Sequence, residues 1–233
     1  MQSRKKTWYF VEPTSKWADL YNILHLPYTL MVLSFVLLGF AISSKVQLAR
    51  LAWTLTAYFL GLGLGAHSLD QLESTGSHYV EVLSRKELSV LAVAGLGAGS
   101  AIGVYYALTV TVWLAPLVLM GLFFALAYPL PSRVAGQVFH NDGAFAFSWG
   151  FLPLFTSSFV NAATVTESSL LVGVATGLDA LAEIRLSRRA RSARKVQGGS
   201  SETFETLEKR LKLLVSSTCL IGVLSILLRL WGL

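Results

Sequence analysis

Charge is scarce in this chain. Only 14% of its 233 residues are Asp, Glu, Lys or Arg, against about 25% in ordinary soluble domains, which excludes a water-soluble globule. Residues Leu88–Ser132 contain no Asp, Glu, Lys, Arg or His, and Gly143–Thr166 contain none either. A helix that crosses a bilayer takes about 20 apolar residues, so both are membrane lengths. Cysteine is almost absent. The single Cys219 excludes a disulfide framework and a cysteine-built metal site, and its apolar setting reads as packing. The segment Met1–Lys16 lacks the apolar stretch and small-residue cleavage site of a signal peptide, so the first span is expected to be retained.

What is present is 54% hydrophobic, with a mean hydropathy of +0.59 and a formal net charge of +6. Lipid offers the backbone no hydrogen-bond partner, so the expectation is an all-α, polytopic integral membrane bundle. Seven segments have the required composition: about 26–44, 48–69, 88–106, 109–128, 144–164, 168–185 and 212–230. The run from Leu88 to Ser132 must fold back, and the β-branched and hydroxyl residues of Tyr105–Thr111 mark the place. With the N-terminus inside, 16 of the 19 basic residues face the cytoplasm and only Lys45, Arg50 and Arg229 face away, the bias of the positive-inside rule. The chain then divides into a cytoplasmic segment, 1–19, and one transmembrane domain, 20–233, with a basic cytoplasmic loop at 185–212 and the C-terminus on the far side. That loop holds RLSRRARSARK, a flexible Gln197–Ser201 stretch and a charged helical segment, Glu202–Lys212. It reads either as a topology signal drawn to anionic headgroups or as a ligand contact. No nucleic-acid partner is expected.

Two acidic clusters carry the chemistry. The second span ends in GLGLGAHSLDQLES, with His67, Asp70 and Glu73 at steps of three, broadly on one helix face. The sixth places Asp179 and Glu183 four apart, just before Arg185, Arg188 and Arg189. An acid at that depth is a functional-site hypothesis, because charge near hydrocarbon is costly without a partner. Magnesium takes a few carboxylates and fills its shell with water and substrate phosphate, so Asp70, Glu73, Asp179 and Glu183 are the expected metal ligands. Arg85, Lys86, Arg133, Arg185, Arg188 and Arg189 are the expected phosphate contacts. Each element has a plainer reading: acids in the headgroup layer, a structural Asp179–arginine pair, a hydrogen-bonded His67. Asn141 is either a headgroup contact or a helix cap. Gly61 and Gly65, four apart, suit close helix packing. Pro129 and Pro131 end the fourth span beside Tyr128, and Pro153 is expected to kink the fifth.

With LPYTLMVLSFVLLGFAIS in the first span, acidic clusters ending the second and sixth, and a tyrosine and a basic residue after the fourth, the sequence resembles the UbiA superfamily of intramembrane prenyltransferases. The likeness covers residues 20–195, about three quarters of the chain. It implies a UbiA-like fold and magnesium-dependent transfer of a prenyl group from a prenyl diphosphate to an aromatic or membrane-soluble lipid acceptor. The match to the family's motifs is partial. Against N-D-x-x-D-x-x-x-D this chain has Ala66 to Ser74, in which only Asp70 coincides; His67 stands for an aspartate and Glu73 sits one residue early. The second motif, D-x-x-x-D, corresponds to Asp179 and Glu183. Leu26-Pro27 stands where Arg-Pro is common, and seven spans replace the usual nine.

On this reading His67, Asp70 and Asp179 are the catalytic candidates, with Tyr128, Arg133, Arg85, Lys86, Asn141, Arg185 and Arg188 on the substrate. The alternative is a catalytically silent relative that binds prenyl lipid or serves as a subunit of a membrane complex. A small transporter has less support, since the acids cluster towards one face rather than at the midplane.

Overall fold

The computed structural model describes residues 7–43, 45–73, 79–129, 138–195 and 201–232. Arg133 lies outside the described residues, as do Arg4, Lys5, Lys6, Ser74, Pro131 and the Gln197–Ser200 stretch. The described residues form helices and no strand.

The chain enters through α1 (Lys16–Ile23), capped by Ser15, and turns by 51° into α2 (Leu26–Ala41). Three local features make the bend. Pro27 brings no N–H to continue α1, Thr29 Oγ1 donates to the Leu24 carbonyl at 2.5 Å, and His25 takes a left-handed φ of 42°, a region open to few non-glycine residues. Next, α3 (Leu48–Tyr58) passes into a π-helical stretch, Phe59–Ala66, and on into α4 (His67–Glu73). A capping box of Ser84 and Glu87 opens α5 (Arg85–Thr109), and α6 (Leu114–Ala127) runs back. The reversal at 110–113 falls where the β-branched cluster predicts it. The fifth rod is α7 (Asp142–Phe145), a second π stretch at Ala146–Phe151, and α8 (Leu152–Ala162). Its irregularity, expected at Pro153, is a π turn in the residues just before that proline, which sits in the first turn of α8. Last come α9 (Glu167–Lys195) and α10 (Ser201–Leu230). The basic run 185–195, expected within a loop, is therefore helical, and the helix expected over Glu202–Lys212 is present as part of α10.

Among the described residues four helices are long and apolar enough to cross a membrane: Leu48–Glu73, Arg85–Thr109, Asp142–Ala162 and Thr203–Leu230. The bent α1–α2 pair makes a fifth if its two helices are counted as one span. Their outward faces carry apolar side chains such as Val93, Leu108, Leu171 and Leu213, each about 70% exposed or more. Water would penalise such faces and hydrocarbon does not, so the bundle has the surface of an integral membrane protein.

One helix organises the packing. Ten of the sixteen residues of α2 are buried, leaving one stripe through Leu30 partly exposed, and the helix touches α10, α8, α3 and both π stretches. Tyr28, Met31, Val32 and Phe35 enter one core cluster, while Val36 and Phe40 enter a second nearer the other end. The remaining helices follow one another around it: α5 lies on the first π stretch and α6, α6 on α8, α9 on the second π stretch, and α10 on both α9 and α2.

The crossing of α5 with the first π stretch is made by glycine. A Cβ on Gly95 would stand 2.8 Å from Gly65 Cα, and one on Gly99 would stand 3.0 Å from Gly61 Cα, so the two four-residue glycine pairs interlock backbone to backbone. The expectation for Gly61 and Gly65 is met by partners on α5. At the end of the bundle holding the 45–47 turn, Arg50 donates to the Val160 and Asn161 carbonyls and Arg229 to the Ser43 carbonyl, while Asn161 binds Gln47 N–H and the Lys45 carbonyl. The two arginines thus satisfy helix-end carbonyls.

Gly95→Val should force the crossing apart and cost about 1–3 kcal/mol, lowering the apparent melting temperature in detergent by roughly 2–4 °C per kcal/mol. Gly97→Val, where an added Cβ meets nothing within 4 Å, is the control. Equal melting temperatures for the two variants would refute the backbone crossing.

Candidate functional site

The opposite end of the bundle gathers the remaining polar chemistry, and two side chains of α1 hold it together. Asp19, fully buried, accepts from the backbone N–H groups of Glu81, Val82 and Leu83 at 3.2, 2.6 and 2.7 Å through one oxygen, Oδ2. One turn on, buried Asn22 accepts from Val11 N–H and donates to the carbonyls of Val11 and Tyr79. These bonds tie the 7–13 segment and the connection before α5 to the same helix. Phe10 packs edge-on to Tyr79, and Lys212 Nζ lies 5.5 Å from the Trp8 ring centroid. Neither Asp19 nor Asn22 belongs to the predicted site; the visible signal is a pair of polar residues three apart leading into an apolar helix.

Above this floor stand tyrosines and histidines. Tyr79 and Tyr28 flank His25, whose ring lies 4.8 Å from that of His67. His67 is buried, and its ring lies against the Gly63 and Leu24 carbonyls, so it bridges the π stretch to the α1–α2 bend. The Tyr28 hydroxyl is 2.5 Å from Ser187 Oγ on α9. Tyr128 stacks on His140 at 4.5 Å and packs on Phe145 and Trp149, and the Arg188 guanidinium neighbours its hydroxyl.

Beneath these aromatics lies an apolar chamber of about 120 Å³, walled by α3 and its π stretch, α5, α6, and the second π stretch with α8. Tyr58, Tyr106 and Trp149 supply its large walls and Gly61, Gly99, Gly103 and Gly121 its open ones. Trp149 is shared, forming one wall of the chamber and contacting Tyr128 and Phe145 on the polar side.

The predicted acids are not gathered into one site. Glu183 is 1% exposed, and its Oε1 has no hydrogen-bond partner. Asp179, one turn earlier, accepts from Thr218 Oγ1 at 2.6 Å and so faces α10. The charges acting on Asp70 are those of His140 and Arg191, and those acting on Glu183 are Arg191 and Asp179. Glu73 is exposed at the end of α4, because steps of 100° per residue turn it about 120° round the helix from buried His67. Among the described residues no three His, Cys, Asp or Glu side chains form a group that could hold a metal ion. The set Asp70, Glu73, Asp179 and Glu183 therefore does not fit a preassembled magnesium cage.

Several predicted phosphate contacts are engaged elsewhere. Arg185 Nε and Arg188 Nη1 pair with Asp142 at 3.2 and 2.6 Å, closing α9 onto the start of α7. Asn141 caps α7, accepting from Ala144 N–H at 2.9 Å, which is the cheaper of its two readings. Arg85 and Lys86 are exposed on the first turn of α5. Arg191, on the same helix face as Glu183 and Ser187, escaped the sequence reading although it lies inside the quoted basic run.

No family model, curated protein or solved structure matches the chain.

Asp19→Ala should cost about 3 kcal/mol, since it strips three N–H groups of a charged acceptor, and should raise the opened population of residues 79–84 by roughly a hundredfold. Trypsin would then cut faster after Arg85 and Lys86, and unchanged cutting would count against the anchor. Burial, reinforced by Tyr79, pushes the Tyr9 hydroxyl up to about 12. The folded state thus holds this proton more tightly than the unfolded chain, and the stability it contributes is complete below about pH 10 and lost as pH rises towards 12. The emission change that Trp8 shows over that window should vanish in Tyr9→Phe.

Proposed function

We propose that the chain is a seven-span bundle of UbiA-like architecture that binds a prenyl diphosphate, with the head at the basic end and the tail in the apolar chamber. In this orientation the basic end faces the cytoplasm, as the distribution of lysine and arginine requires, and the C-terminus lies across the membrane. The observation that carries the reading is the stacking of two unlike compartments. A polar floor of tyrosine, histidine and arginine sits directly on a greasy chamber, with Tyr128, Phe145 and Trp149 between them. An amphiphile with an anionic head and a hydrocarbon tail is complementary to that arrangement, whereas a soluble metabolite leaves the chamber unused.

The chamber's size limits what it encloses. A cavity of about 150 Å³ takes one benzene molecule, so about 120 Å³ encloses a group the size of one isoprene unit. The rest of a longer tail then leaves between helices into lipid. No step is assigned to magnesium, because the carboxylates do not form its cage. Prenyl transfer to an aromatic or lipid acceptor is the second reading. It is favoured by the unpartnered buried oxygen of Glu183 one turn from Asp179, two carboxylates that substrate phosphates could recruit together with a metal ion.

Gly121 lines the chamber and an added Cβ there meets nothing within 4 Å, so Gly121→Leu should fill the space without unfolding the bundle. The variant should melt at the wild-type temperature yet lose farnesyl diphosphate binding by about tenfold or more, the transfer energy of a few buried CH₂ groups. Equal binding by wild type and variant would overturn the chamber assignment. In the same samples, magnesium-dependent release of diphosphate that disappears in Glu183→Gln would establish the transfer reading, and binding without release would establish the silent one.

A further inference from the structure

The residue that stands between the two acidic clusters is an arginine. Glu183, Ser187, Arg191 and Arg194 follow at steps of four, four and three along α9, one stripe of a helix. Two points on the stripe are fixed by contacts. Ser187 meets the Tyr28 hydroxyl, and Arg194 Nη2 donates to the Tyr79 hydroxyl at 3.2 Å. Arg191 lies between them, about one turn or 6 Å beyond Ser187 along the axis, and so faces the tyrosine and histidine floor. Its charge acts on Tyr9, Tyr28, Tyr79 and Tyr128, and on Asp70 and Glu183. On or beside the same stripe, Arg185 and Arg188 pair with Asp142 and Arg194 donates to Tyr79. Arg191 makes no ion pair among the described residues and is exposed.

We propose that Arg191 is the fixed cation of the head-group site and that this protein holds a phosphate or diphosphate head without a divalent metal, through the Arg191 guanidinium and the tyrosine hydroxyls around it. The inference rests on the amphiphile reading above and deepens it. A guanidinium presents a planar fork of donors matched to phosphate oxygens and never loses its charge near neutral pH, and phenol hydroxyls donate to the same oxygens. A cation that makes no ion pair among the described residues, on a stripe whose neighbours Ser187 and Arg194 meet the Tyr28 and Tyr79 hydroxyls, is placed to receive an anion. The alternative role, in which Arg191 only balances Glu183 and Asp70, predicts loss of stability with no change in head-group selectivity.

The test uses the full-length protein in detergent with three probes in EDTA: farnesyl diphosphate, farnesol and inorganic diphosphate. Wild type should bind farnesyl diphosphate within about twofold of its affinity in magnesium and more tightly than farnesol, with inorganic diphosphate competing only against the former. Arg191→Ala should weaken farnesyl diphosphate about tenfold or more, the loss expected for charge-assisted hydrogen bonds, abolish the competition, and leave farnesol binding unchanged. Arg191→Lys should recover part of the loss, and Arg191→Gln, neutral and less truncated than alanine, replaces Arg191→Ala if that variant fails to hold farnesol. Binding that requires magnesium, or that survives both neutral substitutions, overturns the proposal. If farnesol binds but farnesyl diphosphate binds no tighter, the head-group assignment falls and the chamber stands. If neither probe binds, the amphiphile reading falls and this inference with it.

Discussion

The carboxylate of Asp19 is the point on which the polar end of this bundle depends. Three backbone N–H groups converge on one of its oxygens, in a place from which water is excluded and where each would otherwise lack a partner. With Asn22 one turn away, a single short helix fixes two other stretches of chain, 7–13 and 79–84, before any packing between the long helices is considered. The position of Tyr79, and through it of Arg194 and the stripe of α9, follows from that anchoring. The bend at His25 serves the same arrangement. It lays α1 across the end of the bundle while α2 runs through its centre.

Both ends of the molecule carry polar residues, and they treat them differently. At the end holding the 45–47 turn, Arg50, Arg229 and Asn161 are bonded to backbone groups of helix ends and turns, so their charge and hydrogen-bonding capacity complete the fold. At the basic end Asp142 engages two arginines, but among the described residues Arg191 makes no ion pair and Glu183 Oε1 is buried without a hydrogen-bond partner. A buried carboxylate oxygen without a partner is costly in a low-dielectric setting, and that of Glu183 lies at the end that also opens towards an apolar chamber. That contrast within one molecule locates the site more firmly than any single residue does.

Much of the fold was legible because hydropathy reports burial in lipid directly. The charge-free run of 88–132, its reversal near Tyr105–Thr111, the cap at Asn141 and the glycine pair Gly61/Gly65 all follow from local composition. What escaped depends on pairing or phase. The two π stretches change the angular phase of the residues after them, which no assumption of uniform 100° steps anticipates. Asp19 and Asn22 find partners 11 to 64 residues away, and Asp142 finds Arg185 across 43; such contacts leave no periodic trace. The acids of the second and sixth spans were expected to meet across the bundle. They do not form one ligand set, because Asp179 turns to Thr218 and Glu73 to the exposed side of its helix.

Under the proposed reading, the departures from the magnesium motif of the family that the sequence resembles and the presence of Arg191 are two sides of one electrostatic condition. A site built from four carboxylates repels a diphosphate until metal ions reverse its charge, and in that setting an arginine between the acids would be drawn into ion pairs and lost as an anion contact. Here the first motif keeps Asp70 alone, with Ala66, His67 and Ser74 in place of its other polar positions, and His67 is held against backbone carbonyls. Among the described residues Arg191 makes no ion pair with these acids, so under the proposed reading its guanidinium is available to a phosphate. In that reading the same head group is met by a guanidinium in place of a metal ion.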